Sequence, residues 1–323
     1  MIGHDAQVAA FREAADSGRL HHAWLLTGPE GVGKASFALA AATRLLADAA
    51  GPRVHLPGLE TPGDHPIVNY IRAGSHPDLR ILARLTKDKS EDLARSISID
   101  QVRSLQGLFS TTPSLSQRRV VLIDAIDDLE RPAANALLKN LEEPPAGTTF
   151  FLVSHAPGRL LPTIRSRCRQ LRFAPLDAGD MRIALQRALP DEPGEEIDAL
   201  IAVGNGSPGR ALGFAGLEIA KLDAAMDRLV GEGDPTNAIR ASLAKQLGTK
   251  AAQGRYEAYL ERVPARIAAE ARRRRGAALA EAVAIWEDAR RVGESAVHLS
   301  LDPSATVFEL ATLLARLAPP PAR

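Results

Sequence analysis

The spacing of hydrophobic positions along the chain changes near residue 175. Before this point, short apolar runs alternate with segments in which apolar residues recur every three or four positions, the pattern of strands that alternate with helices. Beyond it, the helical period continues almost to the C-terminus and is interrupted mainly by glycine and proline. This order predicts a parallel sheet with crossover helices, followed by an all-helical part.

Five short apolar runs are the predicted strands, and three longer periodic segments between them are predicted helices. The strands are expected at Ala23–Thr27, Leu79–Leu82, Arg119–Ile123, Thr149–Ser154 and Gln170–Phe173. The helices are expected at Lys34–Leu46, Ile99–Phe109 and Pro132–Glu143. The last helix has proline in its first turn, and Pro144 and Pro145 end it.

Glycine and proline divide the second part of the chain into further helices. Short ones are expected at Asp177–Leu189, Glu195–Val203 and Arg210–Gly216. A helical pattern then runs from Leu217 to Leu317, with breaks near Gly231–Pro235, Gly248, Pro264 and Asp302–Pro303. We therefore predict an α/β domain at 1–175, a small helical domain at 176–216, a helical domain at 217–318 and a disordered tail at 319–323.

Composition narrows the class of protein. The 323 residues carry a formal net charge of +1, so contact with nucleic acid or an anionic membrane would need a local patch. Cys168 is the single cysteine, which excludes an internal disulfide and favours a reducing compartment. No apolar run reaches the ~18–20 residues of a membrane span, because Arg44 and Asp48 interrupt the longest candidate. These features predict a cytoplasmic protein.

The first predicted strand leads into a glycine-rich loop that nearly matches a phosphate-binding P-loop. Residues 28–36 read GPEGVGKAS, whereas the pattern requires Gly, four residues, Gly, Lys and then Ser or Thr. Gly28, Gly33 and Lys34 fit, and the loop has the required context between a strand and a helix. The hydroxyl position is Ala35, whose methyl group cannot coordinate Mg²⁺. The sequence therefore predicts a nucleotide-binding fold in which binding of ATP and Mg²⁺ is possible but weakened.

A second position needed for hydrolysis is also alanine. The strand at Arg119–Ile123 ends in Asp124, where Mg²⁺ binds in this class of fold. Active members place a glutamate next, to activate the attacking water, but here the residue is Ala125. Ser36 comes one residue after the hydroxyl position and would point about 100° away on a helix. Two alternatives stay open. Asp124 could simply cap the end of its strand, and the glycine-rich loop could be a turn that binds no ligand.

Arginines supply the remaining candidate chemistry. Arg167 could act in trans on a phosphoryl group bound by a neighbouring subunit, or it could pair with a surface carboxylate within a solvated basic face. Arg210 follows a Gly-Ser-Pro-Gly turn and could approach the P-loop from the second domain. The run Arg272–Arg275, predicted to lie on a helix, could touch a DNA backbone, remain solvated or pair with acids such as Glu261 and Glu270.

Longer runs of sequence identify a family. They are Gly3–His4, Gly18–Leu25 (GRLHHAWL), Ser75–Leu79 (SHPDL), Ile99–Arg103 (IDQVR), Ala133–Pro145 (AANALLKNLEEPP) and Leu161–Cys168 (LPTIRSRC). Together they resemble the bacterial clamp-loader subunits of the AAA+ class over about residues 1–215, while the last third matches only in helical character and length. The resemblance implies an AAA+ P-loop domain with a five-stranded parallel sheet, a three-helix lid and a helical collar that holds a ring of five subunits.

The resemblance also implies roles for individual residues. Arg167 becomes a trans-acting arginine for ATP on the adjacent motor subunit, Ser154 falls at the sensor 1 position and Arg210 at sensor 2. The implied degenerate nucleotide site comprises Gly28, Gly31, Gly33, Lys34, Asp124, Ser154 and Arg210. Many relatives carry a four-cysteine zinc module, but the corresponding segment here has no cysteine, and His55 and His65 are a poor basis for a site. We therefore predict no metal site, zinc included.

The function that the resemblance implies is a stator, part of a DNA polymerase holoenzyme, without ATPase activity of its own. Its implied partners are gamma/tau and delta subunits in a hetero-oligomeric ring and, through the ring, a sliding clamp and primed DNA, but no membrane. The alternative is an active clamp-loader ATPase of gamma/tau type, against which Ala35 and Ala125 argue. A P-loop protein that binds nucleic acid alone finds little support in a net charge of +1 and 4% aromatic residues.

Overall fold

The computed structural model describes residues 1–86, 93–299 and 301–319. The chain divides into two compact units. The first comprises Met1–Ala184 and Gly206–Gly209, and the second comprises Leu185–Asn205 and Arg210–Arg323. The finer division into domains at 1–175, 176–216 and 217–318 stays a prediction.

The first unit is built on the predicted five-stranded parallel sheet. Its strands are β1 (Ala23–Thr27), β2 (Leu79–Ala83), β3 (Arg119–Asp124), β4 (Thr148–Ser154) and β5 (Arg169–Arg172), each within one residue of its predicted bounds. Their order across the sheet is β2-β3-β4-β1-β5. At the centre of β1, Leu25 lies opposite Leu152 of β4 and Gln170 of β5. All of these pairings are parallel, which confirms the predicted α/β class.

Both faces of this sheet are buried, because successive side chains along a strand point to opposite faces. On one face, Trp24 and Leu26 of β1 belong to a buried apolar cluster that includes Phe37. On the other face, Leu25 belongs to a second cluster with Leu137. Burial on both faces explains why the central strands β1, β3 and β4 read as continuous apolar runs instead of alternating ones.

Helices cover the sheet and connect its strands. They are α1 (Asp5–Asp16), α2 (Lys34–Ala50), α3 (Pro66–Arg72), α4 (Ile99–Arg103), α5 (Leu105–Phe109), α6 (Arg131–Glu142), α7 (Pro162–Arg165) and α8 (Ala178–Ala188), which crosses into the second unit. The sequence analysis missed α1, α3 and α7, and it joined α4 and α5 into one helix. They are separated at Ser104, whose hydroxyl donates to the Gln101 carbonyl (2.7 Å) and competes with regular helix bonds.

The second unit consists of helices and short turns. They are α9 (Gly194–Gly204), α10 (Pro208–Leu212, whose first two residues belong to the first unit), α11 (Ile219–Glu232), α12 (Ala238–Leu247), α13 (Gln253–Ala271), α14 (Gly276–Leu299) and α15 (Pro303–Ala315). The predicted breaks near Gly231–Pro235, Gly248 and Asp302–Pro303 are confirmed.

Two sequence predictions in this unit are wrong. Pro264 lies inside α13 and does not end it, because Tyr259 before the proline and Ile267 after it are both fully buried and hold the two halves of the helix in the core. The run Arg272–Arg275 forms the turn between α13 and α14 instead of lying on a helix. Within this turn the Arg274 N–H donates to the Ala271 carbonyl three residues earlier (3.0 Å), which closes the end of α13 tightly.

The C-terminal tail and a membrane span are the two remaining predictions about the fold. The tail was predicted to be disordered at 319–323, and all of it beyond Pro319 lies outside the described residues. Among the helices in the described ranges, none combines the length and the apolar character that crossing a membrane would require.

Candidate functional site

The P-loop connects β1 to α2 in the first unit. Lys34 is the first residue of α2, so the loop ends at the N-terminus of a 17-residue helix, which favours a bound anion. Gly28 has no room for a side chain, because a Cβ atom there would lie 2.2 Å from the Phe173 carbonyl oxygen. The loop therefore has the backbone context that the sequence pattern predicts.

Donors from three parts of the first unit hold the carbonyl groups of the loop. The bonds run from Lys34 Nζ to the carbonyls of Gly28 (2.7 Å) and Pro29, from Ser207 Oγ to Glu30, from the Gly209 N–H to Gly31 (2.8 Å) and from His4 Nε2 to Val32 (2.9 Å). Among the backbone hydrogen bonds between described residues, none is donated by the N–H groups of Glu30, Gly31 or Gly33. The loop is thus fixed through its carbonyls, while its N–H groups are available to an anion.

Lys34 and Asp124 lie in one desolvated site at the C-terminal edge of the sheet. Burial lowers the pKa of Lys34 to about 8, against the opposing charges of Asp124, Asp127 and Glu30. Burial also raises the pKa of Asp124, which nearby His155 and Lys34 partly oppose. The two side chains stand where a phosphate-binding cation and a metal-binding carboxylate are required.

The metal-binding side of this site is incomplete. Ala35 packs against the apolar cluster of its sheet face, and Ser36 is exposed. Ala125 is buried and apolar. P-loop NTPases hold Mg²⁺ with a hydroxyl and a carboxylate in addition to phosphate oxygens, and here only Asp124 supplies one of these two ligands. The residues present therefore do not fit a complete Mg-nucleotide site.

Asp127 is engaged in local structure and is not free to activate water. Its carboxylate accepts hydrogen bonds from Ser154 Oγ (2.9 Å) and from the backbone N–H groups of His155 (2.7 Å) and Ala156 (3.1 Å). Ser154 is fully buried and ties the end of β4 to the turn after β3. Its implied role as sensor 1 stays a prediction.

The turn before Arg210 contacts the P-loop. A Cβ atom on Gly209 would lie 2.7 Å from the Gly31 Cα, so the two backbones touch directly. Arg210 itself belongs to the second unit, where its guanidinium pairs with Glu261 of α13. Its implied role as sensor 2 stays a prediction.

Arg167 lies near the N-terminal ends of the parallel strands, whereas the P-loop lies at their C-terminal ends. Arg167 comes two residues before Arg169, which pairs with Trp24 near the start of β1, whereas the P-loop follows the end of β1 at Thr27. A strand of five residues spans roughly 13 Å. Arg167 therefore does not reach an anion bound at the P-loop of its own chain.

Two groups hold the Arg167 guanidinium at this edge. Its Nη2 lies 2.7 Å from Oε1 of Glu142, the last residue of α6, and its Nη1 donates to the Thr163 carbonyl (2.9 Å). About a third of the side chain remains exposed. In neighbouring Cys168, burial raises the pKa of the thiol to about 12, which keeps it neutral.

Several contacts of the site were missed by the sequence analysis. His4 and Ser207 hold the P-loop across 28 and 177 residues of chain, and no local pattern predicts contacts over such separations. Glu142 offers a weak signal, because a carboxylate at a helix C-terminus is unfavourable and needs a compensating cation.

No group of three or more His, Cys, Asp or Glu side chains is arranged to hold a metal ion within residues 1–86, 93–299 and 301–319. His65 instead accepts a hydrogen bond from the Ile67 N–H (3.2 Å) at the start of α3. The absence of zinc stays a prediction.

Comparisons with known proteins identify the family. A family model described as "DNA polymerase III, delta subunit" matches residues 3–177, which is more than half of the chain. DNA polymerase III subunit delta' of Pseudomonas aeruginosa is 41% identical over 191 residues, which cover 58% of this chain and 53% of that protein. DNA polymerase III subunit tau of Salmonella typhimurium is 34% identical over 193 residues, which cover 59% of this chain and 28% of that protein.

A DNA polymerase III gamma subunit-related protein of Thermotoga maritima aligns in structure over 96% of this chain and 99% of its own, at 13% identity and a TM-score of 0.45. The sequence matches span about half of the delta prime relative (53%) and a smaller part of tau (28%). The family match includes the P-loop, Asp124 and Arg167, and the identity to delta prime exceeds that to tau. The chain therefore belongs to the DNA polymerase III delta subunit family, and over its matched part it is more similar to a delta prime subunit than to tau.

Proposed function

We propose that this chain is the stator of a DNA polymerase III clamp loader. It assembles with gamma/tau and delta subunits in a hetero-oligomeric ring and presents Arg167 to ATP bound by a neighbouring subunit. Through the ring it helps load the sliding clamp onto primed DNA. The similarity to delta prime and tau supports membership in such a complex.

The observation that carries this proposal is the separation of Arg167 from a defective P-loop. The metal-binding and water-activating positions are Ala35 and Ala125, so the chain is poorly equipped to hydrolyse ATP itself. Arg167 lies at the far edge of the sheet, partly exposed, where a neighbouring chain can approach it. An arginine supplied in trans stabilises the charge that develops during phosphoryl transfer.

The test is Arg167→Ala in the full chain, reconstituted with gamma/tau and delta subunits. ATP hydrolysis at the affected site should fall roughly 10³-fold or more, as trans arginines contribute in other NTPases. Phosphate release with Mg-ATP, clamp and primed DNA measures the effect, and size-exclusion chromatography measures ring assembly. Arg165→Ala is the matched control, because it removes an exposed arginine two residues away.

Unchanged hydrolysis by the ring that contains Arg167→Ala would rule out the trans role. Intact Lys34 and Asp124 favour a second candidate, an active ATPase of gamma/tau type. Mg-dependent ATP turnover by the purified chain alone, abolished by Lys34→Ala, would establish that candidate in place of the stator.

A further inference from the structure

We propose that Glu142 is the positioning residue for Arg167, and that it holds the guanidinium in the orientation that meets a phosphoryl group on a neighbouring subunit. This inference rests on the proposed function, because it concerns how the trans-acting arginine is presented.

The geometry of the contacts leaves the guanidinium oriented but available. Glu142 binds Nη2 (2.7 Å), and the Thr163 carbonyl binds Nη1 (2.9 Å). These contacts use two of the five N–H groups of an arginine, so three remain to donate to phosphoryl oxygens. One acceptor is a side chain of α6 and the other is the backbone of α7, which fixes the plane of the guanidinium between two helices.

The helix end that carries Glu142 is fixed to the residue before β1. His22, directly before β1, contacts the Leu141 carbonyl through Nε2 (3.1 Å) at the end of α6. Burial and the neighbouring His21 lower the pKa of His22, so a neutral imidazole whose Nε2–H donates to this carbonyl accounts for the contact. The backbone from which the Glu142 side chain extends is thus tied to the same end of the strands as Arg167.

The helix does not explain the presence of this carboxylate. Glu142 is the last residue of α6, where the helix dipole disfavours negative charge. Neighbouring Glu143 is exposed and makes no ion pair within the described part of the chain. Of the two glutamates, only Glu142 meets the arginine, which points to the contact itself as its role.

The ion pair between Glu142 and Arg167 is weak enough to orient the guanidinium without preventing its contact with a phosphoryl group. About half of the Glu142 carboxylate side chain and a third of the Arg167 side chain are exposed. Exposed ion pairs are weak, so a phosphoryl group with several anionic oxygens competes for the free N–H groups without a large barrier. Loss of Glu142 should therefore slow the step that Arg167 assists, because a free arginine samples many rotamers.

The experiment measures kcat and KM for ATP in rings reconstituted from the full chain with gamma/tau and delta subunits. Glu142→Ala should lower kcat about fivefold, the upper range expected for an exposed pair, and leave KM unchanged. Glu142→Gln should recover most of the rate, because its amide oxygen still accepts a hydrogen bond. Glu143→Ala is the matched control and should leave both constants unchanged. In an Arg167→Ala background, Glu142→Ala should have no further effect.

The outcomes separate this inference from the function on which it rests. If Arg167→Ala leaves hydrolysis unchanged, the trans role itself fails. If Arg167→Ala abolishes hydrolysis while Glu142→Ala and Glu142→Gln match the unmodified chain, the positioning role fails alone. A faster rate in Glu142→Ala would also overturn it, because the pair would then restrain the arginine. A loss of rate with equal loss of ring assembly in Glu142→Ala, but not in Arg167→Ala, would assign Glu142 to folding instead.

Discussion

Arg44 is a single buried residue that organises a loop. It lies on α2, and its side chain is 2% exposed. The guanidinium binds the Asp48 carboxylate (3.0 Å) and the carbonyls of Val54, Leu56 (2.9 Å) and Glu60 (2.8 Å). The rigid fork of an arginine suits such convergent acceptors. In the segment where the resemblance expects zinc cysteines, a guanidinium thus bridges the loop to the helix.

Replacing this residue should destabilise the first unit. Arg44→Met keeps most of the side-chain volume but removes the donor of the three loop carbonyls, while Asp48 keeps its bonds from Arg12 (3.2 Å) and the Val54 N–H (2.9 Å). The free energy of unfolding should fall by about 2–4 kcal/mol, because each buried acceptor that loses its hydrogen-bond partner costs about 1–3 kcal/mol. Urea unfolding can be followed by the fluorescence of buried Trp24 in a Trp286→Phe background, so that the signal reports the first unit.

Arg53→Met provides the control for this measurement. Arg53 pairs with Asp16, but 57% of its side chain is exposed, so its removal should cost less than about 1 kcal/mol. Equal, small losses in Arg53→Met and Arg44→Met would contradict the organising role of the buried guanidinium.

Helices and strands could be predicted where the sequence pattern that indicates them is local. The central strands β1, β3 and β4 are apolar runs buried on both faces, and all five strands were located within one residue. Helix α1 was missed because it buries only Phe11 and Ala14, which leaves a faint apolar stripe. The P-loop pattern identified Lys34 at the start of α2, but not the donors from His4 and Ser207, because these contacts depend on the tertiary fold.

The turn at Gly206–Gly209 is an element whose packing on the P-loop can be tested. Gly209→Ala would put a Cβ atom 2.7 Å from the Gly31 Cα, and a backbone atom cannot rotate away. The turn must shift and strain its N–H bond to the Gly31 carbonyl (2.8 Å). We expect a loss of about 1–3 kcal/mol in the free energy of unfolding, typical of overpacking, measured by the same Trp24 fluorescence.

Gly107→Ala is the matched control for this turn. Gly107 also lies in a short helix, α5, but a Cβ atom there meets nothing within 4 Å. The substitution should be neutral or stabilise the chain by up to about 1 kcal/mol, because it restricts the unfolded state. If both alanine variants unfold alike, direct packing of the turn on the loop is not important for stability.

At the scale of the whole molecule, the parts needed for ATP hydrolysis are separated. Lys34 and Asp124 lie at the C-terminal edge of the sheet, and Arg167 lies at the N-terminal edge. Under the proposed function, neither edge completes an active site alone: the first lacks a metal-binding hydroxyl, and the second lacks a nucleotide. Activity then becomes a property of the ring, and restoring one missing group in this chain should not create it.

Ala35→Thr tests this expectation, because it returns the hydroxyl to the P-loop. Turnover of Mg-ATP by the purified variant should remain at background, since Ala125 supplies no carboxylate and Asp127 is already held by Ser154 and two backbone N–H groups. Steady-state phosphate release measures the rate, and a second variant that also carries Lys34→Ala reveals any contaminating ATPase. Robust turnover that depends on Lys34 would mean that the missing hydroxyl alone had silenced the site, and that neither a water-activating glutamate nor a trans arginine is required.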